Sequence, residues 1–389
     1  MSYLEGNSQL KKNVVFVGGA AREMLIFRAR LIQLLSSCGH TVYVFCFDFS
    51  EADKLAVCRI GAVPMDYTAG RVSLNPLKNI SHFSFLLSSI RRLRPDVIFA
   101  FFAKPIIYAG LIGRLLRIQR IVVMIEGLGY PFTPDPRKTF DLKKLVIRSV
   151  LVLSYRLVFR FSHQVIFLNH DDPSDLKRYF SIPQDKIFVL GPIGVDLSQY
   201  KFSAPSLGSD VSFVFVGRLL IDKGVRDYFQ AAKIVRNHRP NVKFYLVGGL
   251  DLENPNGISR DELASYIESG IVEYVGYTKN VAEWIARSHV FVLPSFYREG
   301  FPRSTQEAMA IGRPVITTNV PGCRDSVVDG QDGFIVNPWD ASELAEKMHY
   351  FIDNRDEIGR MGVNAHVKAK SLFDDSPINK KLSMLILGP

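Results

Sequence analysis

Asn13-Val-Val-Phe-Val-Gly18-Gly19-Ala20 is an unbroken apolar run that stops on two glycines. The pattern predicts a strand buried on both faces, then a tight turn. A helical pattern follows from Arg22 to Ser37 and ends at Cys38-Gly39-His40, and Thr41-Val-Tyr-Val-Phe-Cys-Phe47 is the next strand. Strand, glycine turn, helix and strand in this order open a doubly wound α/β sheet. Further apolar runs follow at Asp96–Ala100, Arg120–Ile125, His163–Leu168 and Lys186–Leu190. Strands this uniformly apolar pair in parallel, with both faces covered.

The pattern then restarts. Gly191-Pro192-Ile193-Gly194-Val195-Asp196 and Ser203-Ala-Pro205-Ser-Leu-Gly208 are rich in turn residues. Beyond them, Val211-Ser-Phe-Val-Phe-Val-Gly217-Arg218 is a strand meeting a loop, and a helix runs from Val225 to Asn237. Val242-Lys-Phe-Tyr-Leu-Val-Gly248-Gly249 is the next strand, with others at Ile271–Tyr274, His289–Leu293, Arg313–Thr317 and Gly333–Val336. A chain of 389 residues exceeds what one core usually supports. The expected domains are therefore 1–195 and 196–370. A helical tail, 371–389, is expected to pack back toward the first domain.

Hydrophobic content of 47% with 22% charged residues excludes a disordered chain. The net charge of +10 is unevenly placed. Residues 1–195 hold 26 Lys/Arg against 14 Asp/Glu, a net +12, and residues 196–389 hold 22 against 24, a net −2. The first half is thus suited to an anionic partner: phosphate, anionic lipid or nucleic acid. Cys38, Cys46, Cys58 and Cys323 show no zinc spacing and fit a reducing cytosol. The N-terminus lacks the basic-then-apolar order of a signal peptide, and no long uncharged apolar run predicts a membrane span.

The chemistry concentrates in Glu299-Gly300-Phe301-Pro302-Arg303-Ser304-Thr305-Gln306-Glu307. Two carboxylates flank a Gly-Phe-Pro turn. Glu299 closes the strand-and-loop run Val290-Phe-Val-Leu-Pro-Ser-Phe-Tyr-Arg298, and Glu307 lies in the first turns of a helix. Backbone N–H groups at a helix start suit phosphate, and carboxylates suit sugar hydroxyls. Together they fit a nucleotide sugar. Gly217-Arg218-Leu-Leu-Ile-Asp222-Lys223-Gly224 adds two cations at a strand's C-terminal edge, where α/β sheets bind ligands. Their bland counterpart is a pair of solvated surface cations. Gly18-Gly19, Gly248-Gly249 and Pro321-Gly322-Cys323-Arg324-Asp325 are glycine loops open to a ligand, or plain βα turns. Asp171-Asp172 reads as the cap of a helix rather than a metal site. No zinc or EF-hand spacing occurs.

Gly217-Arg218, Lys223-Gly224, the Glu299 and Glu307 pair and the Pro321-Gly322 loop occur in the order found in retaining GT-B glycosyltransferases of family 4. The chain resembles that family over most of its length, most specifically between residues 211 and 345. Ile125-Glu126-Gly127-Leu128-Gly129-Tyr130-Pro131-Phe132 is similar to a subgroup that extends lipid-linked oligosaccharides, including the PglA-type N-acetylgalactosaminyltransferases. Many members place a histidine where this chain has Glu126, so the histidine's role does not transfer to it.

The resemblance implies two Rossmann-like domains facing a central cleft and a UDP-sugar donor. It implies that Arg218 and Lys223 bind the donor diphosphate and stabilise the leaving group, without a metal or other cofactor. Glu307 would hold the ribose and Glu299 a hydroxyl of the transferred sugar. Gly217, Gly248, Gly300, Phe301 and Pro302 would line the donor, with Gly18 and Gly19 near the phosphates and acceptor. Glu126 would orient the reacting sugar or the acceptor. Arg303 would reach an acceptor phosphate or face solvent. The expected outcome is retention of anomeric configuration by front-face transfer, not the two-carboxylate route of glycosidases.

Residues 137–160 hold seven cations and one anion, Asp141, among many apolar residues. On a helical wheel Lys144, Arg148, Arg156 and Arg160 gather on one side. This suits a helix in an anionic membrane interface, against the alternative of a core-facing helix with a basic outer face. Lys104, Arg137, Lys143, Lys144, Arg148, Arg156 and Arg160 are the acceptor and membrane candidates. The partners expected are a polyprenyl-diphosphate-linked saccharide and the inner face of the cell membrane. The competing readings are a soluble acceptor, a nucleotide-sugar epimerase and a basic nucleic-acid-binding protein. The last lacks aromatics interleaved with its cations, so no nucleic acid is expected. A catalytically dead carbohydrate-binding relative is disfavoured because Arg218, Lys223, Glu299 and Glu307 are all present.

Overall fold

The computed structural model describes residues 10–67, 76–134, 141–206, 210–252 and 254–388. The chain divides into two compact units. One comprises 1–126, 145–190 and 379–389, and the other 127–144 and 191–378.

In the first unit the chain alternates strand and helix. It runs β1 (Asn13–Val17), α1 (Ala21–Ser37), β2 (Thr41–Cys46), α2 (Glu51–Arg59), β3 (Ala62–Asp66) and α3 (Pro76–Leu93). It continues with β4 (Val97–Phe101), α4 (Ala103–Leu115), β5 (Arg120–Ile125), α5 (Leu142–Phe161), β6 (Gln164–Phe167), α6 (Asp171–Lys177) and β7 (Ile187–Val189). Among the described residues these strands form one parallel sheet, ordered β3-β2-β1-β4-β5-β6-β7. Val14, Val15, Phe16 and Val17 have no exposed surface, nor do Ile98, Phe99, Val122 and Val123 on neighbouring strands. Burial on both faces is why these strands read as continuous apolar runs rather than alternating ones. The register pairs Asn13 with Thr41 and Val14 with Val97. The strand order reverses between β1 and β4, so the loops leaving these two strands diverge and open a crevice.

The edge strand β3 has no counterpart among the strands read from sequence. Its run, Ala-Val-Pro-Met-Asp, is short, half-exposed and interrupted by Pro64, which only an edge strand tolerates. Asp171 and Asp172 lie in the first turn of α6, and the side chain that meets the helix start is Asn169, whose Oδ1 accepts from Asp172 N at 2.8 Å.

The second unit repeats the plan with β8 (Ser212–Val216), α7 (Val225–His238), β9 (Lys243–Val247), α8 (Arg260–Glu268), β10 (Glu273–Gly276) and α9 (Val281–Arg287). It continues through β11 (Val290–Leu293), α10 (Arg303–Ile311), β12 (Val315–Thr318), β13 (Gly333–Val336), α11 (Ala341–Asp353) and α12 (Arg355–Leu372). Its described strands make a parallel sheet ordered β10-β9-β8-β11-β12-β13, with the reversal between β8 and β11. Side chains cap the starts of α8 and α11. Ser259 accepts from Glu262 N at 3.1 Å and Asp340 from Glu343 N at 2.8 Å.

The last helix, α13 (Asp375–Leu387), ends on three carbonyls held by cations of the first unit. Lys12 Nζ donates to Leu387 O at 2.8 Å, and Arg120 donates to Ile386 O and Leu385 O at 2.9 Å each. Cations at a helix C-terminus satisfy its orphan carbonyls and oppose its dipole.

Candidate active site

In the second unit the chemistry collects at the C-terminal edge of the sheet, where β8 and β11 part. Gly217-Arg218 directly follows β8, and Gly248 directly follows β9. Gly248 has φ of 150°, and a Cβ there would lie 1.8 Å from Gly217 O. Only glycine lets the two strand ends approach this closely. Arg218 reaches out of this bed, half-exposed, with Nη1 donating to Asp251 Oδ2 at 3.3 Å.

A 3-10 turn, Ile221–Lys223, leads to Gly224 at φ 76°, which opens α7. A Cβ at Gly224 would fall 1.9 Å from Pro294 O. The loop after β8 is thereby pressed onto the exit of β11. Asp222 fixes the contact: its carbonyl accepts from Phe296 N and Tyr297 N at 3.0 Å each, and its Oδ2 from Asn256 Nδ2 at 3.0 Å. Lys223 Nζ is then ion-paired with Glu299 Oε1 and lies 5.5 Å from the Tyr297 ring centroid. Ser295 Oγ donates to the same Glu299 oxygen at 3.0 Å. An ammonium has three donors, so pairing with Glu299 is compatible with a phosphate oxygen on the same nitrogen.

Glu307, on the second turn of α10, is buried. Its Oε1 accepts from Tyr200 Oη and from Arg303 Nε, both at 2.9 Å. Burial, then the Glu307 charge, pushes the Tyr200 phenol up, so it stays a donor. Arg303 therefore does not simply face solvent: it folds back one helical turn onto Glu307. Phe301 and Pro302 form the turn between the two glutamates, and Gln306 Nε2 donates to their carbonyls at 3.4 and 3.3 Å. Gln306 Oε1 accepts from Gly194 N at 2.9 Å, tying the entry of this unit to α10. Gly322 N donates to Asp325 Oδ2 at 2.8 Å, so this loop N–H is already satisfied. Burial, reinforced by the Glu299 charge, pushes the Cys323 thiol up to about 12, which makes it inert.

The segment after Glu126 is fastened to the Glu299 loop within this unit. Gly129 N donates to Arg298 O at 3.2 Å, and Arg298 N donates to Thr133 Oγ1 at 3.0 Å. Tyr130 Oη donates to Asp141 Oδ2 at 3.0 Å, and Lys144 Nζ, which donates to Thr133 O, lies 5.0 Å from the Tyr130 ring centroid.

In the first unit Gly18 and Gly19 leave β1 with little room above them. Gly18 O accepts from Tyr67 Oη at 2.8 Å, and Gly19 O accepts from Phe47 N at 3.3 Å. Glu126, just past β5, is ion-paired with Arg28 of α1. Lys104, on the first turn of α4, has its ammonium 5.6 Å from the Tyr108 ring centroid, and burial lowers its pKa. Arg137 lies outside the described residues.

Helix α5 corrects the expected basic side. Its outward face carries Leu142, Leu145, Val146, Val150, Leu153 and Leu157, between 36% and 68% exposed. Lys143, Arg156 and Arg160 are exposed among them, whereas Lys144 turns away to Thr133 and Arg148 is half-buried. Periodicity groups side chains but does not say which face the rest of the fold covers. Among the described residues no helix is long and apolar enough to cross a membrane, and no cluster of His, Cys, Asp and Glu fits a metal ion.

Residues 26–199 match the model of glycosyltransferase family 4, and residues 210–354 that of the group 1 glycosyl transferases. The chain is a family 4 glycosyltransferase. It is 28% identical over 353 residues to the N,N'-diacetylbacillosaminyl-diphospho-undecaprenol alpha-1,3-N-acetylgalactosaminyltransferase of Campylobacter jejuni, covering 87% of this chain and 89% of that protein. It is 32% identical over 171 residues to the capsular polysaccharide biosynthesis glycosyltransferase CapM of Staphylococcus aureus, 44% of each. The fold of the Anabaena protein HepE, solved with UDP and glucose, superposes with a TM-score of 0.76 at 19% identity, over 97% of this chain and 99% of that one. The glycosyltransferase thus has the GT-B architecture, two parallel-sheet α/β domains. Sequence reasoning missed Ser295, Tyr297, Asp222 and Arg28. Arg28 had a signal: it is a cation on the stripe of Ala21, Met24, Leu31 and Leu35 that α1 buries.

Proposed function

We propose that this glycosyltransferase moves a hexose or N-acetylhexosamine, with retention, from a UDP-sugar to a polyprenyl-diphosphate-linked glycan at the cytoplasmic membrane face. The product class is surface polysaccharide or glycoprotein glycan. One observation carries the reading: Lys223, after β8, and Glu299, after β11, are paired where the sheet order reverses. A cation for a leaving diphosphate stands beside a carboxylate for a sugar hydroxyl, at the place where such sheets bind ligands.

In this reading Arg218 and Lys223 hold the donor diphosphate, and no metal takes their role. The bond from the anomeric carbon to the donor phosphate oxygen breaks, and the acceptor oxygen bonds to the same face of that carbon. The acceptor's proton passes to the departing phosphate oxygen. The two cations offset the charge that builds on that oxygen. Glu299 and the Phe301-Pro302 backbone hold the sugar, and Glu307 holds the ribose. Glu126 orients the substrate.

The lipid-linked acceptor is supported by the Campylobacter relative, whose name states a diphospho-undecaprenol substrate. A UDP donor is supported by the Anabaena structure, solved with UDP. Membrane contact is supported by the outward face of α5, where leucines and valines lie among Lys143, Arg156 and Arg160. Apolar side chains at this spacing enter the acyl boundary while the cations meet anionic headgroups. Two measurements test the reading. UDP-sugars should raise the melting temperature more than GDP-sugars, and the protein should sediment with anionic vesicles but not with neutral ones. A protein that stays in the supernatant with both rejects the membrane contact.

A further inference from the structure

Helix α1 buries Ala21, Met24, Arg28, Leu31, Ile32 and Leu35 against the sheet. Arg28 is the one cation on that stripe and is only 1% exposed. Its Nη1 donates to Phe27 O at 2.9 Å, and its Cζ lies 4.9 Å from the Phe101 ring centroid. Its Nη2 lies 3.6 Å from Met124 Sδ and pairs with Glu126, whose side chain is 9% exposed. Met124 and Glu126 are two apart on β5 and its exit, so both meet the same face of the sheet.

A buried ion pair is in general weak evidence for stability. Removing two ions from water is costly, and apolar residues of similar volume often serve a core as well. What the pair supplies is place. Glu126 stands at the C-terminal edge of β5, next to β4 and one strand from the β1–β4 reversal. That edge is where an α/β sheet meets its ligand. A guanidinium that keeps its proton holds the carboxylate as an acceptor-only group in one orientation.

We propose that Arg28 is a positioning residue for Glu126, and that Glu126 accepts a hydrogen bond from a hydroxyl of the acceptor saccharide. The inference rests on the glycosyl-transfer reading above and deepens it. Glu126 orients the attacking sugar and does not take its proton.

The test compares wild type, R28K, E126Q and the apolar pair R28M/E126L. Each is assayed with a UDP-sugar panel and a polyprenyl-diphosphate-linked N-acetylhexosamine, after a thermal melt. In E126Q the amide oxygen turns to Arg28 and presents its NH2 group to the substrate, reversing the polarity. E126Q and R28M/E126L should lose about 10- to 100-fold in kcat/KM for the acceptor, the worth of one hydrogen bond to a charged group. Donor KM should stay within about twofold. R28K, which keeps the charge, should retain most of the activity. A merely structural pair would lower the folded fraction and leave the acceptor KM alone. If wild type transfers sugar and folded E126Q matches its acceptor kcat/KM, the inference fails and the transfer reading stands. If wild type transfers from no donor in the panel, the transfer reading fails and takes the inference with it.

Discussion

The Lys223 ammonium is paired with the Glu299 carboxylate, with 18% and 10% of the two side chains exposed. The two residues follow β8 and β11, the strands between which the second sheet reverses. Their meeting depends on Asp222, whose carbonyl gathers the N–H groups of Phe296 and Tyr297. In the proposed reading, the charge for the phosphate and the acceptor for the sugar are thus set by one backbone contact, and the two roles separate on mutation.

Lys223→Ala removes the cation proposed to stabilise the leaving group. Turnover at saturating donor should fall about 100- to 1,000-fold, the usual loss for one preorganised donor. Steady-state kinetics at several donor concentrations check this. Unchanged turnover at saturation rejects the leaving-group role.

Glu307→Ala acts on binding. Donor KM should rise about tenfold, roughly 1.4 kcal/mol, with turnover at saturation within about twofold. The variant also leaves Arg303 and Tyr200 without this shared acceptor, so a melt should show a loss of about 1–2 kcal/mol. A larger loss in turnover than in donor affinity would place Glu307 in the chemistry instead.

Gly224→Ala tests the backbone. The residue has positive φ, and the added methyl meets Pro294 O. The variant should be destabilised by about 2 kcal/mol or more, as strain adds to a clash. Donor affinity should fall with it, because Lys223 is the preceding residue. A melt matching wild type would show that the loop relaxes freely.

Acid should destabilise the fold through buried histidines. His40 Nδ1 accepts from Lys12 N at 3.1 Å, and His289 Nδ1 accepts from Ser212 N at 3.1 Å. Burial, the largest cause for both, lowers their pKa below the ordinary 6.5. The unfolded chain therefore binds more protons as pH falls through 6.5, and stability rises with pH in that window. The contribution is full above the unfolded pKa and declines below it toward the folded pKa. Melting temperature should drop between about pH 7.5 and pH 5.5, and less so in His289→Gln. A flat profile contradicts this.

The sheets were legible in the sequence because parallel strands buried on both faces leave continuous apolar runs, as at Val14–Val17 and Ser212–Val216. β3 was not, because an edge strand holding Pro64 lacks that signal. Gly217, Lys223, Glu299 and Glu307 were legible as types at intervals. The contacts that define them were not, since Ser295 and Asp222 act through loop geometry that spacing does not encode. Arg28 and Arg22 share a helix, and only the buried stripe distinguishes the buried cation from the exposed one. On α5 the wheel grouped the cations, yet the uncovered face proved to be mainly leucine and valine.

The most direct measurement is transfer itself. The protein is incubated with sugar-labelled UDP-hexoses and UDP-N-acetylhexosamines and a polyprenyl-diphosphate-linked saccharide, and label is counted in the organic phase. The account predicts label there from at least one UDP-sugar, joined to the acceptor through an α-linkage for an α-configured donor, and its loss in Lys223→Ala. No organic-phase label from any of these donors, or an inverted product, would contradict it.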